Sequence, residues 1–297
     1  MVKIGLQLPD GLKKRAFEIC EDLGSEVILS GESCYGACDL DLSLLADVDV
    51  LYHYAHTEVV KFERVVYIPY FVDYDVEKVA ERIKVLQERE IALIATVQYC
   101  HKLSELKKIL EGSGFTVELR KGGERIKFPG QVLGCNYSAL RDCRASAVVF
   151  VGDGTFHAIG ASIYSRKKVY AVNPINLDLI KVDASDFIKT RYLQVSRCVG
   201  LSKVGILVST KPGQKRLNLA FSLKKLALER GMKALIVYIN EITPEKLMNL
   251  PFDFYVNTGC PRISYDDYKK FERPIITPQE FEYLLNRREE IGLDEIE

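Results

Sequence analysis

Three segments of the chain read as one and the same unit: a short apolar strand, a polar loop, an amphipathic helix and a glycine. They are VKIGLQLPDGLKKRAFEICEDLG, IALIATVQYCHKLSELKKILEGSG and KVGILVSTKPGQKRLNLAFSLKKLALERG. Such self-similarity constrains a fold more than any local propensity, because each copy must be one supersecondary unit. A second strand follows each copy: SEVILS (25–30), FTVEL (115–119) and MKALIVY (232–238). Third strands come next, VDVLYHY (48–54), AVVFVGD (147–153) and FDFYVN (252–257). Fourth strands, RVVYIPY (64–70), KKVYAVNP (167–174) and RPIITP (273–278), each contain a proline. A helix closes every unit; in the first, Val76, Val79, Ile83 and Leu86 have the spacing of one helical face.

Short, continuously apolar strands alternating with helices predict parallel sheets covered on both faces. The expected class is α/β, with three similar domains, each a four-stranded parallel sheet flanked by helices, arranged around a central site. The expected boundaries are 1–88, 89–200 and 201–297. The chain is 47% hydrophobic and 28% charged, the balance of a globular protein. Its longest apolar runs, such as IALIATV at 91–97, are far shorter than the roughly 20 residues of a membrane span. MVKIGLQLPDG enters a strand at once without a signal-peptide pattern, so a cytoplasmic location and no membrane are expected. Lys+Arg and Asp+Glu both number 41, which gives no argument for nucleic acid.

In a reducing compartment, grouped cysteines bind metal or react more often than they form disulfides. In parallel sheets, ligands gather at the carboxyl ends of strands, and this rule sorts the eight cysteines. Cys20 lies on the stripe Leu12, Ala16, Ile19, Leu23; Cys198 sits beside Val195 and Val199, and Cys143 follows Leu140 by three residues. These read as packing, since free cysteine behaves as a small hydrophobe. Cys100, at the end of a first strand, is ambiguous. Cys38 and Cys135 lie in loops after the second strands of their units, and Cys260 follows a third strand in NTGCPRIS. If the units pack around an axis, three thiols from three units meet.

Structural zinc takes four ligands in closely spaced pairs, and C-x-x-C is absent here. Three thiolates without a fourth protein ligand suit a [4Fe–4S] cluster with one open iron. For Cys34, in CYGACDLD, three readings stay open: a fourth ligand, an oxidation partner of Cys38, or an incidental turn residue. His53, His56 and His101 end strands or begin loops, where a lone histidine is more often hydrogen-bonded structure than a ligand; none is counted as one.

YGACDLD, GQVLGCNYSALRD, GDGTFHAIG, TKPGQKR and NTGCPRISYDD, in this order, resemble the archaeal diphthamide synthase family. The resemblance runs over essentially the whole chain. It implies a transferase, a non-conventional radical S-adenosylmethionine enzyme that makes 2-(3-amino-3-carboxypropyl)histidine on elongation factor 2. It implies that Cys38, Cys135 and Cys260 bind a [4Fe–4S] cluster whose unique iron meets S-adenosylmethionine, and that Cys34 is extra. By motif position, contacts to S-adenosylmethionine fall to Gln98, Gly152, Asp153, Phe156, His157 and Gln214. For Asp153 and His157 a turn-capping role is the plainer alternative; for TKPGQKR it is a solvated Pro-Gly turn rather than a seat for the methionine carboxylate. Departures from the family pattern are Ala55 and Thr57 in HYAHTE, Tyr99 after Gln98, and Gly259 before Cys260.

The implied reaction is reductive cleavage of the sulfonium bond to the aminocarboxypropyl γ-carbon. The resulting radical adds to C2 of a histidine imidazole and leaves methylthioadenosine. Implied partners are elongation factor 2, an unknown reductant protein and a second copy in a homodimer. Two rivals of other classes stand beside this reading: a non-catalytic iron–sulfur partner subunit, and a substrate-binding α/β protein with incidental cysteines.

Overall fold

The first unit comprises β1 (Lys3–Gln7), α1 (Asp10–Lys13), α2 (Ala16–Leu23), β2 (Glu26–Leu29), β3 (Val50–Tyr54), β4 (Val65–Ile68) and α3 (Val76–Lys84). The second comprises β5 (Glu90–Ala95), α4 (Val97–Cys100), α5 (Leu103–Gly112), β6 (Thr116–Glu118), β7 (Ala147–Val151), α6 (Phe156–Ser165), β8 (Lys168–Val172), β9 (Leu179–Lys181) and α7 (Ser185–Ser196). The third comprises β10 (Lys203–Ser209), α8 (Leu217–Glu229), β11 (Lys233–Ile239), α9 (Pro244–Leu247), β12 (Phe254–Asn257), α10 (Pro261–Tyr265), β13 (Ile275–Ile276) and α11 (Pro278–Leu284). This computed structural model describes residues 2–24 and 26–297. The expected strand at 25–30 is thus observed as β2, with Ser25 outside the described residues.

The repeat read in the sequence reappears as topology. Strand order is β2-β1-β3-β4, β6-β5-β7-β8-β9 and β11-β10-β12-β13, so the first strand of each unit lies between its second and third. Pairing is parallel throughout except for β9, which runs antiparallel to β8 with Tyr170 opposite Lys181. That fifth strand was not anticipated: LIK is too short and too exposed to carry a period-2 signal. Every residue of β7 is buried, as expected for a central parallel strand covered on both faces.

The closing helices of the first two units pack forward onto the following sheet. Val76, Val79, Ala80 and Ile83 of α3 share a core with Ile91 and Leu93 of β5 and with Leu103, Leu106 and Leu110 of α5. Val195 of α7 and the adjacent Cys198 pack with Val204, Ile206 and Val208 of β10 and Phe281 of α11. Each buried Val, Leu or Ile contributes about 1.5–3 kcal/mol. Successive sheets are therefore bound through helices rather than through flexible linkers, which fixes the relative positions of the loops at their carboxyl ends. Caps set the helix starts: Asp75 accepts from Lys78 N–H at 3.1 Å, and Thr277 with Glu280 forms a reciprocal capping box before Pro278.

Candidate metal centre

Three loops at strand carboxyl ends carry the cysteines singled out by the sequence. Cys38 closes a turn in which Asp39 N–H donates to Gly36 O at 2.9 Å. Cys135 sits in a two-residue turn closed by reciprocal hydrogen bonds of 3.0 and 3.1 Å between Leu133 and Asn136. Cys260 stands at the N-cap of α10, ahead of Pro261. Its turn is held by Asn257, which accepts from Gly259 N–H and donates to Cys260 O, both at 2.8 Å.

The loops meet through residues of all three units. Gly213 N–H donates to Cys38 O at 3.3 Å, and a Cβ at Gly213 would lie 2.4 Å from Cys38 Cβ, so this approach requires glycine. Gln214 Nε2 donates to Cys38 Sγ at 3.2 Å while its Oε1 accepts from Cys260 N–H at 3.2 Å. Arg125, 8% exposed, donates from Nη2 to Gly213 O at 3.1 Å, and its Nε has no partner. Phe156 lies against the Cys135 turn, since a Cβ on Gly134 would fall 2.6 Å from its ring; the Arg262 guanidinium sits 4.4 Å over the same ring.

The C-terminal segment straps two of these loops together. Ile296 N–H donates to Cys135 O at 2.8 Å and Asn136 Nδ2 donates to Ile296 O at 3.2 Å. Arg216 donates from Nε to Thr258 O at 2.7 Å and from Nη1 to the buried Asp294 carboxylate at 2.9 Å. Asp294 N–H in turn donates to Tyr265 Oη at 2.9 Å.

The three thiols feel one another. Burial pushes the Cys135 thiol well up, and negative charge on Cys38 and Cys260 raises it further, while Arg125 opposes both. Burial first and Cys38 second push Cys260 up to about 12. Cys38 is raised by burial against the Gln214 hydrogen bond and the Arg125 charge. A site where thiols raise one another and a buried guanidinium favours their anions suits a group that replaces the protons by a positive core. Thiolate ligands of iron–sulfur clusters are such groups.

The other cysteines separate from these three. Cys100 donates to Val97 O at 3.2 Å in a buried core, and Cys198 to Gln194 O at 3.5 Å in another. Cys20 and Cys143 pack beside apolar clusters. The ambiguity at Cys100 resolves because the chain leaves the sheet at Ala95 and has already turned into α4. Cys34 is buried, and its neighbours are His53 and His56.

Of the residues expected to contact S-adenosylmethionine, Gln214 and Phe156 touch the cysteine loops. Gln98 (in α4), Gly152 and Asp153 stand at the carboxyl ends of β5 and β7, with Asp153 exposed. Gly152 lies under Phe150, whose ring would be 2.5 Å from an added Cβ. His157 stacks on Phe150 at 5.8 Å; burial and then Arg262 push its pKa down to about 4, so the ring is neutral. The cations of TKPGQKR are engaged within the protein. Lys211 pairs with Asp39 at 2.7 Å, Arg216 with Asp294, and Lys215 lies 5.2 Å over the Tyr238 ring. Lys211 and Arg216 are thus paired with carboxylates, whereas Lys215 is exposed. Arg125, in KGGERIKFPG, gave no sequence signal, because one arginine in a charged glycine loop looks like solvated surface.

Residues 8–296 match the family model described as "Putative diphthamide synthesis protein". The chain is 38% identical to the 2-(3-amino-3-carboxypropyl)histidine synthase of Pyrococcus horikoshii, over 99% of this chain and 89% of that one. It is 28% identical to the protein of the same name from Methanocaldococcus jannaschii, over 99% and 87%. The crystal structure of Dph2 from Pyrococcus horikoshii with a 4Fe-4S cluster superposes with a TM-score of 0.94 at 37% identity, covering 99% of this chain and 89% of that one. With three like sheets, three converging cysteine loops and matches of this extent, the chain belongs to the diphthamide synthesis protein family.

Proposed function

We propose that this protein transfers the 3-amino-3-carboxypropyl group of S-adenosylmethionine to C2 of a histidine imidazole on elongation factor 2, the first step of diphthamide synthesis. What supports the reading is that Gln214 joins Cys38 to Cys260, and that Cys135 lies near enough for the charges of both to act on its thiol. Those three thiolates would hold a [4Fe–4S] cluster, which supplies the electron that breaks the sulfonium bond and an open iron for the substrate.

The chain's own residues do the rest by holding and shielding. Gln214 fixes Cys38 relative to Cys260 through one side-chain amide. Arg125 offsets the charge of the Cys38 and Cys135 thiolates and Arg262 that of Cys260, in a buried setting where such compensation is strongest. Phe156 walls the Cys135 side under Arg262, and neutral His157 adds no charge beside it. Gly152 makes room for the Phe150 ring at the end of β7, and the exposed Asp153 beside it offers a carboxylate to an ammonium or sulfonium. Gln98 adds an amide at the end of β5. Orientation of the reacting carbon is the protein's main contribution to a reaction of this type.

The acceptor is a folded protein, since the thiols lie at the ends of three sheets rather than in an apolar enclosure of the kind small molecules occupy. A reductant protein and a cytoplasmic location belong to the same reading. Among the described residues no helix is long and apolar enough to cross a membrane. A homodimer is part of it as well, supported by the exposed apolar residues Phe221, Leu228, Leu235 and Tyr238 around edge strand β11. Light scattering at micromolar concentration should give twice the chain mass, and a monomer mass removes the dimer.

The decisive experiment incubates the dithionite-reduced, cluster-loaded protein with carboxyl-labelled S-adenosylmethionine and archaeal elongation factor 2. Label should move onto one histidine, with methylthioadenosine formed in equal amount. Methylthioadenosine without labelled protein would remove the acceptor. Neither product from a fully loaded cluster would turn the reading to a non-catalytic partner subunit.

A further inference from the structure

Cys34, His53 and His56, none of them one of the three cysteines described above, bring three ligand atoms within 4.8 Å of one another at the carboxyl end of β3. Cys34 is 4% exposed and His53 is fully buried. His53 Nδ1 lies 2.9 Å from Gln7 Oε1. The orientation of that amide is set on both sides: Gln7 Nε2 donates to Asp39 O at 2.9 Å, and Oε1 also accepts from Asp41 N–H at 3.1 Å. An accepting Oε1 places the proton of His53 on Nδ1 and leaves Nε2 as a bare lone pair. Nε2 has no hydrogen-bond partner, and neither has the buried Nδ1 of His56. The Gly36 backbone favours the protonated form of His53, and the Tyr54 backbone that of His56, without either reaching hydrogen-bond geometry to those nitrogens.

Two buried imidazole nitrogens without partners, on side chains gathered at a buried thiol, are costly at about 1–3 kcal/mol each. The backbone is held in an uncommon conformation to create this arrangement. Ala55, between the two histidines, has φ +66°, and the two rings stack at 4.8 Å. A left-handed alanine persists where the surroundings require it.

We propose that Cys34, His53 and His56 form a second metal site that takes one divalent cation of the zinc class. One thiolate and two imidazoles are the donors zinc prefers, and three protein ligands leave a fourth tetrahedral position for water. The second shell that metal-bound histidines need is present, since Gln7 receives the other ring N–H of His53. Burial, chiefly, holds His53 at about 3 and His56 at about 4, so both are neutral as ligands must be; it pushes Cys34 up to about 12, so uptake of the metal releases one proton. The cation pins the loop Cys34–Cys38 to the end of β3. Cys38 itself is held by Gly213 and Gln214, so the cluster does not depend on the cation, which being without redox chemistry leaves electron transfer to the thiol site.

The test treats the cluster-loaded protein anaerobically with a chelator, adds Zn²⁺ alone, counts zinc and iron, and records zinc-edge X-ray absorption. Wild type should retain one Zn²⁺ per chain with one sulfur and two nitrogen neighbours, at unchanged iron. Cys34→Ser and His53→Gln should each weaken zinc binding by more than tenfold while keeping wild-type iron. Equal zinc affinity in the variants, no retained zinc, or a shell of three sulfurs would each overturn the proposal; the last would put the metal on the cluster thiols. If either variant loses iron through misfolding, His56→Gln decides by the same readout.

Discussion

Gln214 donates from Nε2 to Sγ of Cys38 at 3.2 Å, and with the same amide accepts from the backbone of Cys260. One side chain thus ties a first-unit thiol to a third-unit turn. Gln214→Leu should keep the fold and lower the reduction potential of the cluster, because N–H···S bonds favour the more negative state. If about 1 kcal/mol of the bond is specific to that state, the fall is roughly 40 mV by spectroelectrochemistry. An unchanged potential would mean the bond does not survive cluster binding.

Arg216 and Asp294 carry the C-terminal strap. Asp294→Ala leaves Arg216 with less compensation next to Thr258 O and Gly259 O, and removes the anchor of Ile296 on Cys135 O. Breaking a largely buried pair costs about 3 kcal/mol. Denaturant midpoints should fall accordingly, and hydrogen exchange should rise at Asn136 and Tyr137 before the rest of the chain. Uniform exchange would show that the strap holds nothing locally.

Arg191 and Glu280 form a fully buried bidentate pair joining α7 to α11, with bonds of 2.6 and 2.8 Å. Arg191→Met leaves a buried carboxylate and should cost about 3–5 kcal/mol. Arg191→Met with Glu280→Leu should be less destabilised than Arg191→Met alone, although the double variant also loses a capping box worth about 1 kcal/mol. Thermal unfolding of the three proteins checks the order.

The pair also marks where sequence reading stops. The three-unit repeat, the sheet class and the loop placement of Cys38, Cys135 and Cys260 were legible, because hydrophobic period and strand-end position are local properties. Arg191, in the closing helix of the second unit, was not legible as core, since its partner lies 89 residues away. Arg125 was invisible because its role arises from a contact with Gly213 of another unit, and Asp294 because Arg216 lies 78 residues away; Asn257 acts within its own turn, where one more asparagine in a loop is not distinctive. His53 and His56 were read as lone histidines because Cys34, in the loop after β2, joins them only through the sheet order β2-β1-β3.

Acid should weaken the protein in a window set by its buried imidazoles. His157 is pushed down to about 4 from an ordinary 6.5, by burial and then by Arg262. The unfolded chain takes up a proton below 6.5 while the folded chain does not until about 4. Stability present above 6.5 is therefore lost as pH falls through that interval. Denaturant midpoints measured from pH 7 to pH 5 should fall, and fall less in His157→Gln. An equal fall in both would assign the acid sensitivity elsewhere.

The central claim is that three loops, one from each sheet, hold one cluster. Anaerobic reconstitution followed by iron and sulfide counting tests it on five single variants. Wild type, Cys100→Ala and Cys198→Ala should each carry about four irons per chain, whereas Cys38→Ala, Cys135→Ala and Cys260→Ala should each fall well below that. Full iron in any one of the last three, with the same visible absorption as wild type, would contradict the account.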